Sequence, residues 1–231
     1  MTRFGRGPQR RRARALGRAA AGPLHDYLRV PPPGPATPLD DLGLLAVDIE
    51  TTGLDPRRDR VLSIGWVPVD GAHVVLGGAG RAVVRDVAGV GRSATVHGLT
   101  DDELAGGEPL EDAVARLLAA LTGRVLLAHF ARIETGFLGA VCERVWGAGL
   151  DTVVVDTLEL ERRDLPGGWG SEPAAGALRL WAARERHGLP AYRAHEALTD
   201  ALACAELYLA QSARLRARHP ETTLTLRHVV A

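Results

Sequence analysis

The sequence predicts a mixed α/β protein in which a five-stranded sheet, an antiparallel meander followed by parallel strands, is flanked by helices. Three observations predict this class. Apolar runs of strand length open the folded part of the chain, turn-forming dipeptides separate them, and segments with helical periodicity then alternate with short apolar runs. The 231 residues are enough for one domain with a full core and additional tails.

The meander is predicted from three apolar runs, at residues 44–48, 61–67 and 73–76. The dipeptides Asp55-Pro56 and Asp70-Gly71 lie between these runs, and both favour tight turns. Strands joined directly by such turns pair antiparallel. The first three strands are therefore expected to form one continuous antiparallel unit.

The later elements are predicted from capping residues, helical periodicity and further apolar runs. In order, we expect a helix opened by the capping box of residues 100–103, a helix at 110–121, a strand at 124–128, a helix at 131–146, a strand at 153–155, a Gly- and Pro-rich loop at 164–176, and helices at 177–186 and 196–214. Strands and helices in alternation are typical of parallel strands joined by helices.

Composition separates three zones along the chain. Residues 1–41 are expected to form a basic arm, a short helix near 13–28 and a Pro-rich linker, residues 42–213 the domain, and residues 214–231 a tail. The formal net charge is zero, and every basic side chain is arginine, which a GC-rich genome explains more simply than selection for phosphate binding.

The cellular location of the protein is predicted from the length of its apolar runs and from its two cysteines. No run approaches the roughly 18 apolar residues of a membrane span, so no membrane association is expected. Cys142 and Cys204 lie in apolar, helix-like stretches without metal-ligand spacing. We expect both to be buried free thiols, which favours a cytoplasmic protein.

Two acidic residues at the end of the first apolar run carry the clearest chemical signal. Asp48 and Glu50 are separated by one position, so on a strand their side chains project from the same face. Two carboxylates on one face repel each other and are costly to desolvate. A divalent cation between them would offset both effects, and the pair therefore predicts metal-dependent catalysis.

Two further segments place polar groups in apolar surroundings. A strand is expected to end at His129, and the helix that follows carries Glu134 one turn before two apolar core residues. In the last helix, His195 precedes Asp200, which borders an apolar stripe. A lone acid beside such a stripe is usually a solvated flank residue, but three acidic sites in one small domain favour a shared function.

The motifs in these segments resemble those of the DEDDh family of 3′–5′ exonucleases, which includes the proofreading epsilon subunit of bacterial DNA polymerase III and oligoribonuclease-like enzymes. The resemblance lies in residues 48–54 (DIETTGL), 129–138 (HFARIETGFL) and 195–200 (HEALTD), and residues 96–100 and 155–158 are similar to the segments that link these motifs. It extends over the whole expected domain and implies a ribonuclease H-like fold.

The resemblance implies a catalytic set of five residues. Asp48, Glu50, Glu134 and Asp200 would hold two divalent cations, Mg²⁺ or Mn²⁺, and His195 would take a proton from the attacking water. The chemistry agrees, since hard oxygen ligands suit these ions and do not suit zinc. Two such ions activate water, shield the phosphoryl oxygens and stabilise the leaving oxygen.

Four other residues are expected to contact the substrate. Thr51, Thr52 and Leu54 follow the metal strand and are placed against the terminal nucleotide, with a plain turn as the alternative. His129 is the fourth, with a structural histidine at a strand end as the alternative. Trp169 is expected to be exposed or locally packed, and stacking on a base is the other interpretation.

Glu134 departs from the family pattern, which has aspartate at that position. Glutamate keeps the charge and the oxygen ligands but adds a methylene group, which displaces the carboxylate unless the helix adjusts. Mg²⁺ demands near-ideal octahedral geometry, whereas a more tolerant ion such as Mn²⁺ should suffer less. We expect activity to persist with an altered metal preference.

The function that the sequence predicts is hydrolysis at the 3′ ends of DNA, in proofreading or repair, with release of nucleoside 5′-monophosphates. The alternatives are an exoribonuclease acting on short RNA and a catalytically weak nucleic-acid-binding or polymerase-accessory module, the last suggested by Glu134. The expected partner is a single-stranded or frayed 3′ end. Residues 211–231 contain no convincing clamp-binding peptide, so a stand-alone or accessory nuclease is preferred, and association with a DNA polymerase stays open.

Overall fold

The structure is a computed structural model that describes residues 6–85, 99–165 and 174–230. Within these residues six strands form one mixed sheet, in the order β3-β2-β1-β5-β6 with β4 also paired to β2. The strands are β1 (Gly43–Thr51), β2 (Val61–Asp70), β3 (His73–Val74), β4 (Gly80–Val83), β5 (Val125–Ala128) and β6 (Val154–Asp156). The pairs among β1 to β4 are antiparallel, and β5 runs parallel to both β1 and β6.

This topology confirms the predicted mixed sheet, with the antiparallel meander first and the parallel strands after it. The sheet has six strands where five were expected, because the sequence pattern does not predict β4. That strand follows the glycines Gly77 and Gly78 and itself begins at Gly80. Glycine is depleted in strands, so the run carries little strand signal of its own, and its four residues are ordered by pairing with β2.

Helices cover both faces of the sheet. Among the described residues they are α1 (Arg6–Arg18), α2 (Pro23–Arg29), α3 (Asp101–Ala105), α4 (Leu110–Leu121), α5 (Arg132–Trp146), α6 (Thr157–Asp164), α7 (Leu180–Arg186) and α8 (Ala197–Arg218). Short 3₁₀ helices lie at Leu39–Asp41, Leu76–Gly78 and Leu226–His228.

The helices predicted after residue 100 are confirmed, with small shifts at their ends. The single helix expected near 13–28 is wrong: α1 and α2 lie there instead, because the chain breaks at Gly22, whose φ is 139°, and Pro23 begins the second helix. The hydroxyl of Thr100 accepts a hydrogen bond from the backbone N–H of Glu103, whose carboxylate accepts one from the N–H of Thr100, so the capping box opens α3 as expected. The sequence analysis missed α6, although its N-cap is visible: Asp156 accepts a hydrogen bond from the N–H of Leu158 at 2.9 Å. Trp169, residues 96–98 of the first linking segment and residues 166–173 of the expected loop lie outside the described residues.

The alternation of side chains along β1 separates two apolar cores. Leu45 and Val47 face the core beneath α2, α4 and α5. Leu44 and Ala46 face the opposite core, which α8 covers together with residues near the C-terminal end of the chain. The sheet is thus buried on both faces.

Residues on both sides of the 42–213 segment belong to these same cores. Tyr27 and Leu28 of α2 are buried against the first core, and Leu226 and Val229 against the second. The division at residues 41 and 213 stays a prediction, but the packed part of the molecule extends beyond it at both ends.

Arg12 fastens α1 to the rest of the fold. Its guanidinium donates hydrogen bonds to four backbone carbonyls: those of Tyr27 at 2.6 Å, Leu28 at 3.1 Å, Val30 at 2.7 Å and Asp151 at 2.7 Å. It also lies 4.7 Å from the centre of the Tyr27 ring. One arginine of the basic arm is thereby a structural residue, since charged hydrogen bonds are the strong ones.

Both cysteines are buried and free, as predicted. Burial raises the pKa of the Cys142 thiol to about 12, so this thiol stays protonated and unreactive near neutral pH. Of the helices in the described ranges, none combines the length and the apolar character that crossing a membrane requires.

Gly65 sets the distance between α8 and the sheet. It pairs with Asp48 across β1 and β2. A Cβ atom at residue 65 would lie 2.2 Å from the carbonyl carbon of Ala197 and 2.3 Å from the backbone nitrogen of Leu198. Only glycine lets the first turn of α8 approach the strand this closely.

Replacing Gly65 by alanine should therefore push the start of α8 away from β2. Overpacking of this kind costs about 1–3 kcal/mol, so we expect a lower unfolding midpoint in chemical denaturation followed by circular dichroism. Gly139→Ala in α5 is the matched control, because no atom lies within 4 Å of the added methyl group and a helical alanine should stabilise by about 0.5–1 kcal/mol. A wild-type midpoint for Gly65→Ala would contradict the close contact.

Candidate functional site

The predicted catalytic residues converge at one edge of the sheet, where the parallel strands β1, β5 and β6 end. Asp48 and Glu50 lie on the same face of β1, opposite Gly65 and Ser63 of β2. Glu50 is buried and Asp48 is half-buried. The carboxyl ends of parallel strands are where open α/β sheets place ligands.

Glu50, His195 and Asp200 form a compact group at this edge. Each offers one ligand atom, and these atoms all lie within 4.8 Å of one another. The residues come from β1, from the segment before α8 and from the first turn of α8. Three of the five predicted catalytic side chains are thus brought together by the contact between β1 and α8.

The backbone of His195 is held in an uncommon conformation. Its φ is 70°, in the left-handed region that non-glycine residues seldom adopt. Its N–H donates a hydrogen bond of 2.8 Å to Oδ2 of Asp200, and the ring is exposed. Next to it, the carboxylate of Glu196 caps α8 by accepting from the N–H of Thr199 at 2.8 Å. The turn that contains His195 is therefore held in place by hydrogen bonds to the first turn of α8.

Glu134 lies in the first turn of α5, with 3% of its surface exposed. Its Oε2 is buried and makes no hydrogen bond to any residue that the structure describes. Burial, together with a smaller contribution from the negative charge of Asp156, raises the pKa of this carboxyl to about 8. A buried carboxylate oxygen without a donor is costly unless another group satisfies it.

The other acids of the site are perturbed in the same direction. Burial raises the pKa of Asp48 well above its ordinary value, and the charges of Glu134 and Glu50 add to the effect. The pKa of Glu50 rises to about 7 through burial and the charge of Asp200, against the opposing effect of His195. Burial likewise raises the pKa of Asp200. These carboxylates destabilise one another when ionised, which a bound cation would reverse.

Both ring nitrogens of His129 are engaged within the protein. Nδ1 lies 2.8 Å from Oγ1 of Thr157, and Nε2 lies 2.8 Å from the carbonyl oxygen of Leu178. Burial lowers the pKa of this imidazole. His129 thus links β5 to α6 and to the chain before α7, the arrangement expected of a structural histidine, and its predicted contact with substrate stays a prediction.

Asp156 fixes the start of α5 at the site. Its two carboxylate oxygens accept hydrogen bonds of 2.9 Å from the N–H groups of Phe130 and Ala131. Phe130 has a φ of 72°, so the turn after β5 is strained and needs this support. In the sequence Asp156 belongs only to the linking segment 155–158, and its role becomes visible once the helix α6 that it caps is known.

The turn after Glu50 is closed by its own side chains. The hydroxyl of Thr51 donates to the carbonyl of Gly53 at 2.6 Å, and Oγ1 of Thr52 accepts from the N–H of Arg60 at 2.9 Å. Leu54 is 76% exposed. Thr51 and Thr52 therefore stabilise the turn, while Leu54 presents apolar surface beside the acidic edge, where a ligand could cover it.

A broad groove of about 1400 Å³ opens from His195 and Asp200. Its lining is mainly apolar and includes the exposed side chains of Phe130, Trp181 and Tyr192. Pockets of this size with a few convergent polar groups are the usual location of ligand sites. The groove and the acidic edge together form one continuous candidate site.

Comparison with known proteins agrees with this geometry. The exonuclease family described as RNase T matches residues 45–208. The DNA polymerase III subunit epsilon of Treponema pallidum is 29% identical over 174 residues, which are 73% of this chain and 76% of that protein. The PolC-type DNA polymerase III of Thermotoga maritima is 28% identical over 170 residues, 73% of this chain but only 12% of that much longer protein.

Solved structures show the same fold. Cell-death related nuclease 4 superposes with a TM-score of 0.63 at 13% identity, covering 76% of this chain and 65% of that one. Zinc-bound E. coli exonuclease I in complex with single-stranded DNA gives a TM-score of 0.62 at 20% identity, covering 78% of this chain and 42% of that one. This chain therefore belongs to the exonuclease family, and residues 45–208 form its 3′–5′ exonuclease domain, similar to the epsilon subunit of DNA polymerase III.

Proposed function

We propose that the protein is a metal-dependent 3′–5′ exonuclease that hydrolyses phosphodiester bonds at the 3′ ends of DNA and releases nucleoside 5′-monophosphates. The observation that carries the proposal is the cluster of Glu50, His195 and Asp200, whose ligand atoms lie within 4.8 Å of one another, with the half-buried Asp48 and the buried Glu134 close by. This combination supplies both cation ligands and a proton acceptor at one end of an open groove.

The residues at this edge fit divalent cations. The proposed ligands are all carboxylates, which suit Mg²⁺ or Mn²⁺. The buried Oε2 of Glu134, which accepts no hydrogen bond from the described residues, would be satisfied by a bound cation. Asp48, Glu50, Glu134 and Asp200 would hold two ions. Bound there, they would supply positive charge for the attacking water, the phosphoryl oxygens and the leaving 3′ oxygen.

The protein's own groups account for proton transfer and orientation. The imidazole of His195 is exposed at the mouth of the groove, where it can accept the proton of the attacking water. Its backbone hydrogen bond to Asp200 keeps the ring beside the carboxylates. Leu54, exposed in the turn that follows Glu50, would pack on the terminal nucleoside and orient the scissile bond.

DNA is proposed as the substrate because the relatives are named as forms of DNA polymerase III. A role in proofreading or repair, association with a polymerase and a cytoplasmic location belong to the same proposal. Short RNA is the alternative substrate. A weakly catalytic accessory module is the second candidate function, favoured by Glu134 in place of the family's aspartate.

Activity is tested on 3′-labelled single-stranded DNA, mismatched duplex and short RNA, each with Mg²⁺ or Mn²⁺. We expect stepwise release of 5′-mononucleotides from single-stranded DNA, and no reaction with EDTA. Asp48→Ala and Asp200→Ala should remove turnover, because each deletes a cation ligand. His195→Ala should lower the rate by about 10²–10⁴-fold, the usual effect of losing a general base.

Asp112→Asn, an exposed acid of α4 outside the site, is the control and should keep the wild-type rate. If wild-type protein is no faster than Asp48→Ala on every substrate and with either metal, the exonuclease proposal is wrong.

Glu134→Asp tests the departure from the family pattern. Shortening this side chain should raise the rate with Mg²⁺ more than the rate with Mn²⁺, because Mg²⁺ is the less tolerant of displaced ligands. The measurement is the ratio of the two initial rates in each protein. A loss of activity with both ions would show instead that the surrounding site is fitted to glutamate.

The raised pKa values predict how stability without metal depends on pH. Folding raises the pKa of Glu134 from about 4.5 to about 8, so the folded state binds more protons than the unfolded state between these values. Its contribution to stability must therefore fall as pH rises from about 5 to about 8. In EDTA, the midpoint of Glu134→Gln minus that of wild type should increase over this window.

Thermal denaturation at several pH values measures this difference. Glu111→Gln on the exposed side of α4 is the control, and its midpoint should stay parallel to that of wild type. Mn²⁺ added at pH 8 should raise the wild-type midpoint, because a ligand that binds the folded state stabilises it. A Glu134→Gln difference that shrinks with rising pH would contradict the perturbed carboxyl.

A further inference from the structure

Arg184 is the least exposed arginine of the described residues, with 4% of its surface accessible. It lies on α7, where Ala182 and Ala183 are also buried. Nη1 donates a hydrogen bond of 2.6 Å to the carbonyl of Ala203 on α8. Nη2 donates one of 2.8 Å to the carbonyl of Pro190. A buried guanidinium is costly unless its donors are used, and here they reach two separate parts of the chain.

Two side chains complete the surroundings of this guanidinium. Nη2 also lies 2.8 Å from Oε2 of Glu206 on α8, forming an ion pair. The Tyr192 ring lies over the guanidinium with its centre 4.6 Å away, and its hydroxyl donates a hydrogen bond of 2.8 Å to the other oxygen of Glu206. Arg184, Tyr192 and Glu206, here called the arginine clamp, thus join α7, α8 and the segment 189–194 between them.

The segment that the clamp holds leads directly to His195. Residues 190–195 are all exposed, so apolar burial does little to order them. On the helix side, the N–H of His195 is tied to Asp200. On the other side, the N–H of Leu189 donates a hydrogen bond to the carbonyl of Arg184, and Pro190 and Tyr192 contact the clamp. The clamp therefore anchors the part of the chain that leads to the His195 ring.

We propose that Arg184 is a positioning residue, which holds the segment before α8 so that the imidazole of His195 stays over Glu50 and Asp200. The proposal rests on the proposed function, in which His195 accepts the proton of the attacking water. Small displacements of a reacting group reduce rates strongly, by about 10²-fold for 1 Å, while leaving substrate binding intact.

Arg186 provides a matched control on the same helix. It forms an ion pair of 2.8 Å with the buried Glu161 and donates a hydrogen bond of 2.7 Å to the carbonyl of Ala177. Both of these partners lie outside the segment 189–194. Arg186→Met therefore removes a comparable structural ion pair without loosening the chain that carries His195.

The first measurement compares kcat and KM on 3′-labelled single-stranded DNA. Arg184→Met should lower kcat by about tenfold to hundredfold with KM within about twofold of wild type. Arg184→Lys should recover part of kcat, because an ammonium can still donate to Pro190 and Glu206. Arg186→Met should keep kcat within about twofold at a similar loss of thermal midpoint. Equal kcat values for Arg184→Met and Arg186→Met would overturn the proposal.

The second measurement is independent of activity. Amide hydrogen exchange of the peptide containing residues 189–195 should be faster in Arg184→Met than in Arg186→Met, and Tyr192→Phe should show a smaller increase. Wild-type exchange in both Arg184→Met and Tyr192→Phe would overturn the proposal. If Arg184→Met fails to fold, Arg184→Lys and Tyr192→Phe decide by the same two measurements.

A wild-type protein without nuclease activity would instead refute the proposed function. Hydrogen exchange would still decide whether the clamp orders the segment 189–194.

Discussion

Like charges buried at the ends of parallel strands are the constraint on which this molecule is arranged. Asp48, Glu50 and Glu134 are shielded from water. Burial raises the pKa of each carboxyl, so ionising any of them is costly. The fold tolerates this because the two cores hold β1 from both faces and the first core holds α5. Apolar packing thus keeps these carboxylates close together, although their mutual repulsion would otherwise move them apart.

The geometry of α8 follows from the same constraint. A helix that brings Asp200 to the end of β1 must approach the sheet closely, and the missing side chain of Gly65 permits this. The turn before the helix then requires a left-handed residue, which is His195. Backbone strain, close packing and charge repulsion therefore meet within a few residues, as is typical of functional sites whose order is imposed by the surrounding structure.

Much of the fold and the core of the site could be predicted from the sequence. The one-residue spacing of Asp48 and Glu50 fixed their common face, because strand side chains alternate strictly, and the sheet register bears this out. Arg184 and Gly65 could not be predicted in the same way. Their roles depend on Ala203, Glu206 and Ala197, which approach them only in the folded chain, and an arginine in a short helix ordinarily indicates a solvated surface.

The contact of Arg12 with four carbonyls has a consequence for how the protein can be shortened. A form that begins at residue 42 would lose α1 and α2 together and uncover the apolar side of α4 on which α2 packs. It would also release the carbonyl of Asp151, close to the start of β6. Such a trimmed protein would expose an apolar surface on the side of the sheet away from α8, and would aggregate although every residue of the candidate site was present.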